Sequence, residues 1–284
     1  MPSLSSPSGS AELPPACELE AFRARVWAYF RENRREMPWR DVDDAYAVLV
    51  SEVMLQQTQA ARVEPRYLEW MAALPTVDAL AAAPLPLVLE LWQGLGYNRR
   101  AIALKRAAEA IVERSGGTVP SDPQELRRLP GVGPTTAAAV ANYAFRLPTP
   151  FIETNVRAAV LHAFFGDADD VPDSMLRGIV DATWDREDPR CWGYALMDYG
   201  AHLKRTLPNP SRRSRYHARQ SRFEGSHRQK RAAMLRAVLA EPGLDSETYA
   251  DRAGVPAAAA EDLLRELSRE GFVTPVGDVW RVPD

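Results

Sequence analysis

Apolar residues recur at helical spacing from near Glu18, through Phe22, Val26 and Phe30, and the pattern breaks at Met37-Pro38-Trp39-Arg40. The same periodicity predicts helices over about Ala45 to Leu55, Pro65 to Met71, Val77 to Ala82, Pro86 to Gln93 and Ala101 to Ser115. Pro75, Pro84 and the glycines of Gly94-Leu95-Gly96 separate them. A short helix, Pro123 to Arg128, leads through a Gly-rich turn into an alanine-rich one, and a further helix runs to Phe165 with Thr154 or Asn155 as its expected cap. Strand alternation is missing until the end. There, three helices (about Arg228 to Leu239, Ser246 to Ala253 and Ala257 to Arg269) precede a hairpin in Phe272 to Val282 that turns at Gly277-Asp278. Helix, helix, helix, hairpin is the order of a winged helix. The expected fold is therefore mainly α with a small C-terminal winged-helix-like α+β domain.

Two places defy a purely structural reading. In Ser51-Glu52-Val53-Met54-Leu55-Gln56-Gln57-Thr58-Gln59, a carboxylate follows the apolar run Val48-Leu49-Val50, and three glutamines and a threonine follow it. A core helix has no use for that much amide, whereas glutamine offers both donor and acceptor to a base edge. In Leu129-Pro130-Gly131-Val132-Gly133-Pro134-Thr135, the glycines are expected to supply positive φ and close backbone approach. The N–H groups at the start of the next helix can then hold a phosphate.

Composition narrows the class. Among 284 residues 46% are hydrophobic and 26% charged, ordinary for a globular protein. Cys17 and Cys191 are the only cysteines, so a disulfide framework is not expected and the chain reads as cytoplasmic. No apolar run reaches the length of a membrane span. The Ser/Pro-rich start reads as a disordered tail over residues 1–17 rather than a signal peptide. The net charge of -3 argues against nucleic acid, but its distribution argues the other way. From Lys204 to Arg231 the chain carries ten basic residues, Arg212, Arg213 and Arg219 among them, against the single acid Glu224. Such a segment suits phosphate.

The glutamine cluster, the Pro-Gly-Val-Gly hairpin, Trp92-Gln93-Gly94-Leu95-Gly96-Tyr97, Pro150-Phe151-Ile152-Glu153-Thr154-Asn155 and Leu196-Met197-Asp198-Tyr199-Gly200-Ala201 together resemble MutY-type adenine DNA glycosylases of the helix-hairpin-helix superfamily. The resemblance covers about Met37 to Gly200. It implies a two-lobed fold, with residues 18–44 and 145–203 as the lobe carrying Glu153 and 45–144 as a six-helix lobe; the charge and helix patterns mark 204–225 as a basic loop and 226–284 as the winged-helix-like domain. It implies a monofunctional DNA N-glycosylase of base-excision repair that flips and excises a base, adenine in a mismatch first. The partner is duplex DNA holding a mismatch or damaged base. The sequence shows no oligomerisation signature, so a monomer is expected.

Breaking an N-glycosidic bond builds positive charge on the sugar. One acid protonates the leaving base and a second carboxylate stabilises the cation. By resemblance Glu52 is the general acid, with a carboxyl raised by its apolar flanks, and Glu153 the ionised partner. The family has aspartate where Glu153 stands, and the extra methylene shifts the carboxylate by roughly 1.5 Å. Gln57 would fill the space of the flipped base and Tyr97 would wedge into the duplex. Gln56, Thr58, Gly131, Val132, Gly133, Thr135, Arg212 and Arg213 complete the expected DNA contacts. Bifunctional relatives hold a lysine nucleophile where Thr135 stands, so strong lyase activity is not expected.

Two family features are missing. The four cysteines of an iron–sulfur cluster are absent, so no cluster is expected and the basic loop must be held by packing. The resemblance leaves room for a monovalent cation at the hairpin. The Nudix-like C-terminal domain that reads 8-oxoguanine is replaced by the shorter winged-helix pattern, whose third helix carries Glu261, Asp262, Glu266 and Glu270. Other readings are a thymine, uracil or damaged-purine glycosylase, a lesion-binding protein without chemistry, and a winged-helix transcription factor.

Overall fold

A computed structural model describes residues 13–217 and 222–283. The first twelve residues of the expected tail, and Arg219 of the basic segment, lie outside the described residues. Two compact units form. Unit 1 comprises the described residues up to Val48, Ser121–Arg127 and the described part of Val132–Arg219. Unit 2 comprises Leu49–Pro120, Arg128–Gly131 and the described part of Gln220–Asp284.

Unit 1 is helical. Helix α1 (Ala16–Asn33) buries Phe22, Val26 and Phe30, one side chain per turn along a single stripe. Helix α2 (Ala45–Leu55) starts in this unit and ends in the other. The short α7 (Pro123–Leu126) is capped by the Asp122 side chain. Helices α8 (Pro134–Phe145), α9 (Thr154–Phe164) and α10 (Asp173–Thr183) follow. Helix α11 (Pro189–Thr206) runs at the centre, with Trp192, Ala195, Leu196, Tyr199 and Leu203 buried. Gly193 and Gly200, two helical turns apart on one face of α11, are its points of closest approach. A β-carbon at Gly193 would lie 2.9 Å from both Asn142 Nδ2 and the Tyr143 ring, and one at Gly200 would lie 2.0 Å from the Asn155 carbonyl oxygen. Small residues thus set how near α8 and α9 come to α11.

A buried ion pair fastens the segment after α1. The Arg40 guanidinium, 4% exposed, donates to both carboxylate oxygens of Asp198, which is 1% exposed, at 2.7 and 2.8 Å. Arg35 donates to the same carboxylate through its backbone and side chain. Burial alone would raise the Asp198 carboxyl, but Arg40 and Arg35 outweigh it and hold it low. Removing either partner would strand a buried charge, at a cost of about 3–5 kcal/mol. Asp198 of the Leu-Met-Asp-Tyr-Gly motif is therefore a structural residue.

Unit 2 begins with the second half of α2. Helix α3 (Ala60–Ala73) starts earlier than the proline at position 65 suggests. Pro65 sits inside the helix and withholds a donor from the Ala61 carbonyl. Burial of Val63, Tyr67 and Trp70 along one stripe outweighs that loss. Helices α4 (Val77–Ala82), α5 (Leu85–Leu91) and α6 (Arg99–Ser115) complete the N-terminal part. The C-terminal part comprises α12 (His227–Ala240), α13 (Ser246–Ala253), α14 (Ala257–Arg269) and strands β1 (Thr274–Val276) and β2 (Val279–Arg281). The strands pair antiparallel, with Val276 opposite Val279 and the turn at Gly277 (φ +62°) and Asp278. Three helices and a hairpin thus appear in the order expected of a winged-helix-like domain. Among the described residues, no helix is long and apolar enough to cross a membrane.

Candidate active site and nucleic-acid interface

Glu52 lies half-buried near the C-terminal end of α2, between the buried Ser51 and Val53. The helix ends at Leu55, and Gln57 takes a left-handed backbone, φ 57°. The expected aromatic wedge, Tyr97, is also left-handed, φ 49°, and its side chain is among the exposed large hydrophobics. Neither residue is glycine, so each position carries strain of order 1–3 kcal/mol that the surroundings must overcome.

Arg100 overcomes it. Its Nη1 donates to the carbonyls of Val53, Met54 and Gln56. Its Nη2 donates to Thr58 Oγ1 and to the carbonyls of Leu95 and Gly96. One guanidinium thereby closes the C-terminal end of α2, where carbonyls lack intrahelical partners, and ties the glutamine turn to the Tyr97 turn. It also lies over the Trp92 and Tyr97 rings, 5.2 and 5.6 Å from their centroids. Burial lowers its pKa to about 10, so it stays charged at neutral pH. Sequence reasoning missed Arg100. A signal was present: Arg99 and Arg100 open α6, at the end of a helix where cations are disfavoured unless another partner claims them.

The expected DNA contacts sort themselves on this frame. Gln57 is exposed. Gln56 Nε2 donates to the Gly131 carbonyl at 3.2 Å, joining the glutamine turn to the Pro-Gly hairpin. The Thr58 hydroxyl is engaged with Arg100 and with the carbonyls of Gln56 and Leu95, an internal role. Gly131 needs its identity twice, for φ +76° and because a β-carbon would lie 2.8 Å from that of Ala103. Gly133 departs from expectation. Its backbone is extended (φ -80°), a β-carbon placed on it would meet nothing within 4 Å, and its task is to precede Pro134 at the start of α8. Val132 is buried and Thr135 exposed in the first turn of α8, which no side chain caps.

Glu153 belongs to unit 1, where it, rather than Thr154 or Asn155, caps α9. Its Oε1 accepts from the backbone N–H of Asn155 at 2.6 Å and of Val156 at 3.0 Å. Lys204 of α11 donates to Asn155 Oδ1 at 3.1 Å, and its charge acts on Glu153. The residue keeps some accessible surface, yet desolvation of its carboxyl is the largest influence and raises the pKa. The two backbone donors and the charges of Lys204 and Arg157 oppose that rise without cancelling it. The sequence reading expects an ordinary ionised carboxylate at Glu153, whereas the structure pushes its carboxyl upward. Burial in turn lowers Lys204, partly offset by Glu153. The relation of Lys204 and Asn155 to Glu153 is not legible in the sequence, because it depends on the approach at Gly200.

The basic stretch after α11 is held by backbone. Asn209 caps the 3₁₀ turn Pro210–Arg213, and Ser214 forms a parallel bridge with Val171. Val171 N–H donates to the Arg213 carbonyl, Arg215 N–H donates to Val171 O, and Arg215 pairs with Asp170 at 2.7 Å. Arg212 is exposed, Arg213 half-buried, and the Tyr216 ring beside them is 62% exposed. The residues present do not fit an iron–sulfur cluster. Cys17 and Cys191 are free, and among the described residues no group of three or more His, Cys, Asp or Glu could hold a metal ion.

Residues 50–180 match the family described as HhH-GPD superfamily base excision DNA repair protein. Human adenine DNA glycosylase is 38% identical over 196 residues, which are 65% of this chain and 36% of that protein. The adenine DNA glycosylase of Mycobacterium tuberculosis (strain ATCC 25618 / H37Rv) is 40% identical over 178 residues, 61% and 59% respectively. The chain thus spans between 36% and 59% of the length of these two relatives. A thermostable thymine-DNA glycosylase shares the fold at a TM-score of 0.59 and 24% identity, covering 65% of this chain and 87% of that one. An endonuclease III trapped covalently on DNA shares it at 0.54 and 18%, covering 76% and 95%.

Proposed function

We propose, from the match of residues 50–180 to the HhH-GPD superfamily of base excision DNA repair proteins and the likeness to adenine DNA glycosylases, that the chain is a MutY-type DNA N-glycosylase acting on duplex DNA. Its reaction is hydrolysis of the bond between a flipped base, adenine in a mismatch first, and its deoxyribose. The observation that carries the reading is the Arg100 clamp. It holds the exposed Gln57 and Tyr97 in left-handed turns directly beyond the helix that bears Glu52. A fold gains nothing by fixing an amide and an aromatic ring outward. A protein that extrudes a base needs both, one to fill the vacated place and one to separate the stack.

In this account Glu52 delivers a proton to the leaving base and Glu153, when ionised, stabilises the cationic sugar. The charge of Lys204 and the two N–H donors at the start of α9 support that ionised form against desolvation. The hairpin, the first turn of α8 and Arg212 and Arg213 contact phosphates, which position the duplex without reading its sequence. Thr135 has no amine, so no Schiff base forms on it and strand cleavage is left to other agents. This reading calls on no iron–sulfur cluster, keeps a place for a monovalent cation at the hairpin, and takes the protein as a monomer. The test is incubation with duplexes that each hold one candidate base. Breaks that appear only after alkali support the reading, and intact strands on every duplex with enzyme in excess reject it.

A further inference from the structure

The C-terminal domain is joined to α6 by a carboxylate shared between two arginines. Glu270, at the end of α14, pairs with Arg99 at 2.8 Å and with Arg231 of α12 at 2.7 Å. Arg99 immediately precedes the clamp residue Arg100. One helical turn before Arg231, on the same side of α12, stands Arg228, and its Nη1 donates to the Tyr97 hydroxyl at 3.3 Å. Tyr97 is therefore held at both ends, its ring by Arg100 from α6 and its hydroxyl by Arg228 from the C-terminal domain. A tyrosine 41% exposed has water for its hydroxyl, and folding does not require an arginine there.

The acids of α14 point to the same arrangement. Glu261 pairs with Arg265, Glu266 with His227 and Arg231, and Glu270 with Arg99 and Arg231. Two of the four acids there, Glu266 and Glu270, thus bind α12 and α6, which leaves α14 unsuited to entering a negatively charged groove. Helix α12 instead carries Arg228, Lys230 and Arg231 in its first two turns, cationic chemistry with Arg228 on the exposed Tyr97 ring's hydroxyl.

We propose that Arg228 is a positioning residue for Tyr97, and that the C-terminal domain is a working part of the face that engages the lesion rather than an independent DNA reader. This rests on the glycosylase reading and names a residue that sets how Tyr97 meets the duplex.

The test uses the full chain and a duplex with adenine opposite 8-oxoguanine and 2-aminopurine as the neighbouring base, whose fluorescence rises when the stack opens. Arg228→Ala is expected to weaken binding about tenfold, the scale of one charge-assisted hydrogen bond, and to reduce the fluorescence rise at saturation. Excision at saturating enzyme should fall in step with the fluorescence rise, because Glu52 and Glu153 act only on an extruded base, while the pH profile of excision should stay that of wild type. Arg228→Lys should restore part of the binding. Tyr97→Phe, which removes only the hydroxyl, should reproduce the loss, and Arg228→Ala added to it should cost little more. Glu270→Gln should give the same pattern by loosening α12. Unchanged binding and fluorescence in Arg228→Ala, or losses that add in the double variant, would overturn the proposal. Wild-type protein that binds and opens the stack but releases no base from any duplex would remove the enzymatic reading while leaving the role of Arg228 standing. Wild-type protein that does not bind the duplex would remove both.

Discussion

Gly200 lies so close to Asn155 that a β-carbon on it would come within 2.0 Å of the Asn155 carbonyl oxygen. The contact seats α11 on the first turn of α9, where Glu153 caps the helix and Lys204 reaches Asn155. Backbone meets backbone there, so no flexible side chain can yield. Gly200→Ala is expected to destabilise unit 1 by at least about 3 kcal/mol, the upper end for an overpacked core. Thermal unfolding of the variant beside wild type measures it.

The hairpin glycines should separate cleanly. Gly131→Ala meets both a left-handed backbone and Ala103, and a loss of about 2 kcal/mol or more follows. Gly133→Ala meets neither, and stability within about 0.5 kcal/mol of wild type is expected. Urea titrations of the two variants check the contrast.

This difference marks the limit of reading the chain by itself. The two glycines look alike in the Pro-Gly-Val-Gly spelling, and only the backbone distinguishes a required one from a permissive one. Helix periodicity is legible for α1, α2, α4 and the three C-terminal helices, because their apolar stripes are continuous and their ends carry Pro, Gly or an acid cap. Helix α3 is longer than its sequence suggests, because Pro65 reads as a helix start while tertiary burial of Val63 and Tyr67 overrides it. Gln57 stands out within an amide cluster that a core helix has no use for, whereas Glu52 and Tyr97 are singled out through the family resemblance. Arg100, Lys204 and Arg228 do not, because each gains its meaning from a partner distant in sequence.

Arg100 supplies six hydrogen bonds to the two turns. Arg100→Met keeps most of the volume but leaves several carbonyls without donors, and a cost of about 2–4 kcal/mol is expected. Arg100→Lys cannot span both turns with a single ammonium and should recover only a small part. Unfolding midpoints, with hydrogen exchange at Gln57 and Tyr97, measure both effects.

Glu153 ties stability to pH. Its carboxyl is raised above the ordinary glutamate value of 4.5, so between that value and its folded value the native state binds more protons than the unfolded one. Its contribution to stability is present at acid pH and falls as pH rises through the folded value. Glu153→Gln, which can still accept from the α9 N–H groups, should flatten that dependence and raise the melting temperature at neutral pH while excision is lost. Glu270 has the opposite sign. Burial would raise it, but hydrogen bonds from Arg99 and Arg231 and their charges hold it at about 2, so its contribution is present above 4.5 and disappears as pH falls towards 2. Melting curves across pH 2 to 8 for wild type, Glu153→Gln and Glu270→Gln separate the two.

The central claim is base release by Glu52. A panel of duplexes is incubated with excess wild-type protein and with Glu52→Gln, covering adenine opposite 8-oxoguanine or guanine, uracil and thymine opposite guanine, hypoxanthine and alkylated adenine. Each sample is scored for strand breaks with and without alkali, and for binding. The account predicts alkali-dependent breaks on a mismatch duplex by wild type, with breaks lost and binding kept in Glu52→Gln. Binding without breaks by wild type on every duplex would contradict it and leave a protein that recognises lesions without removing them.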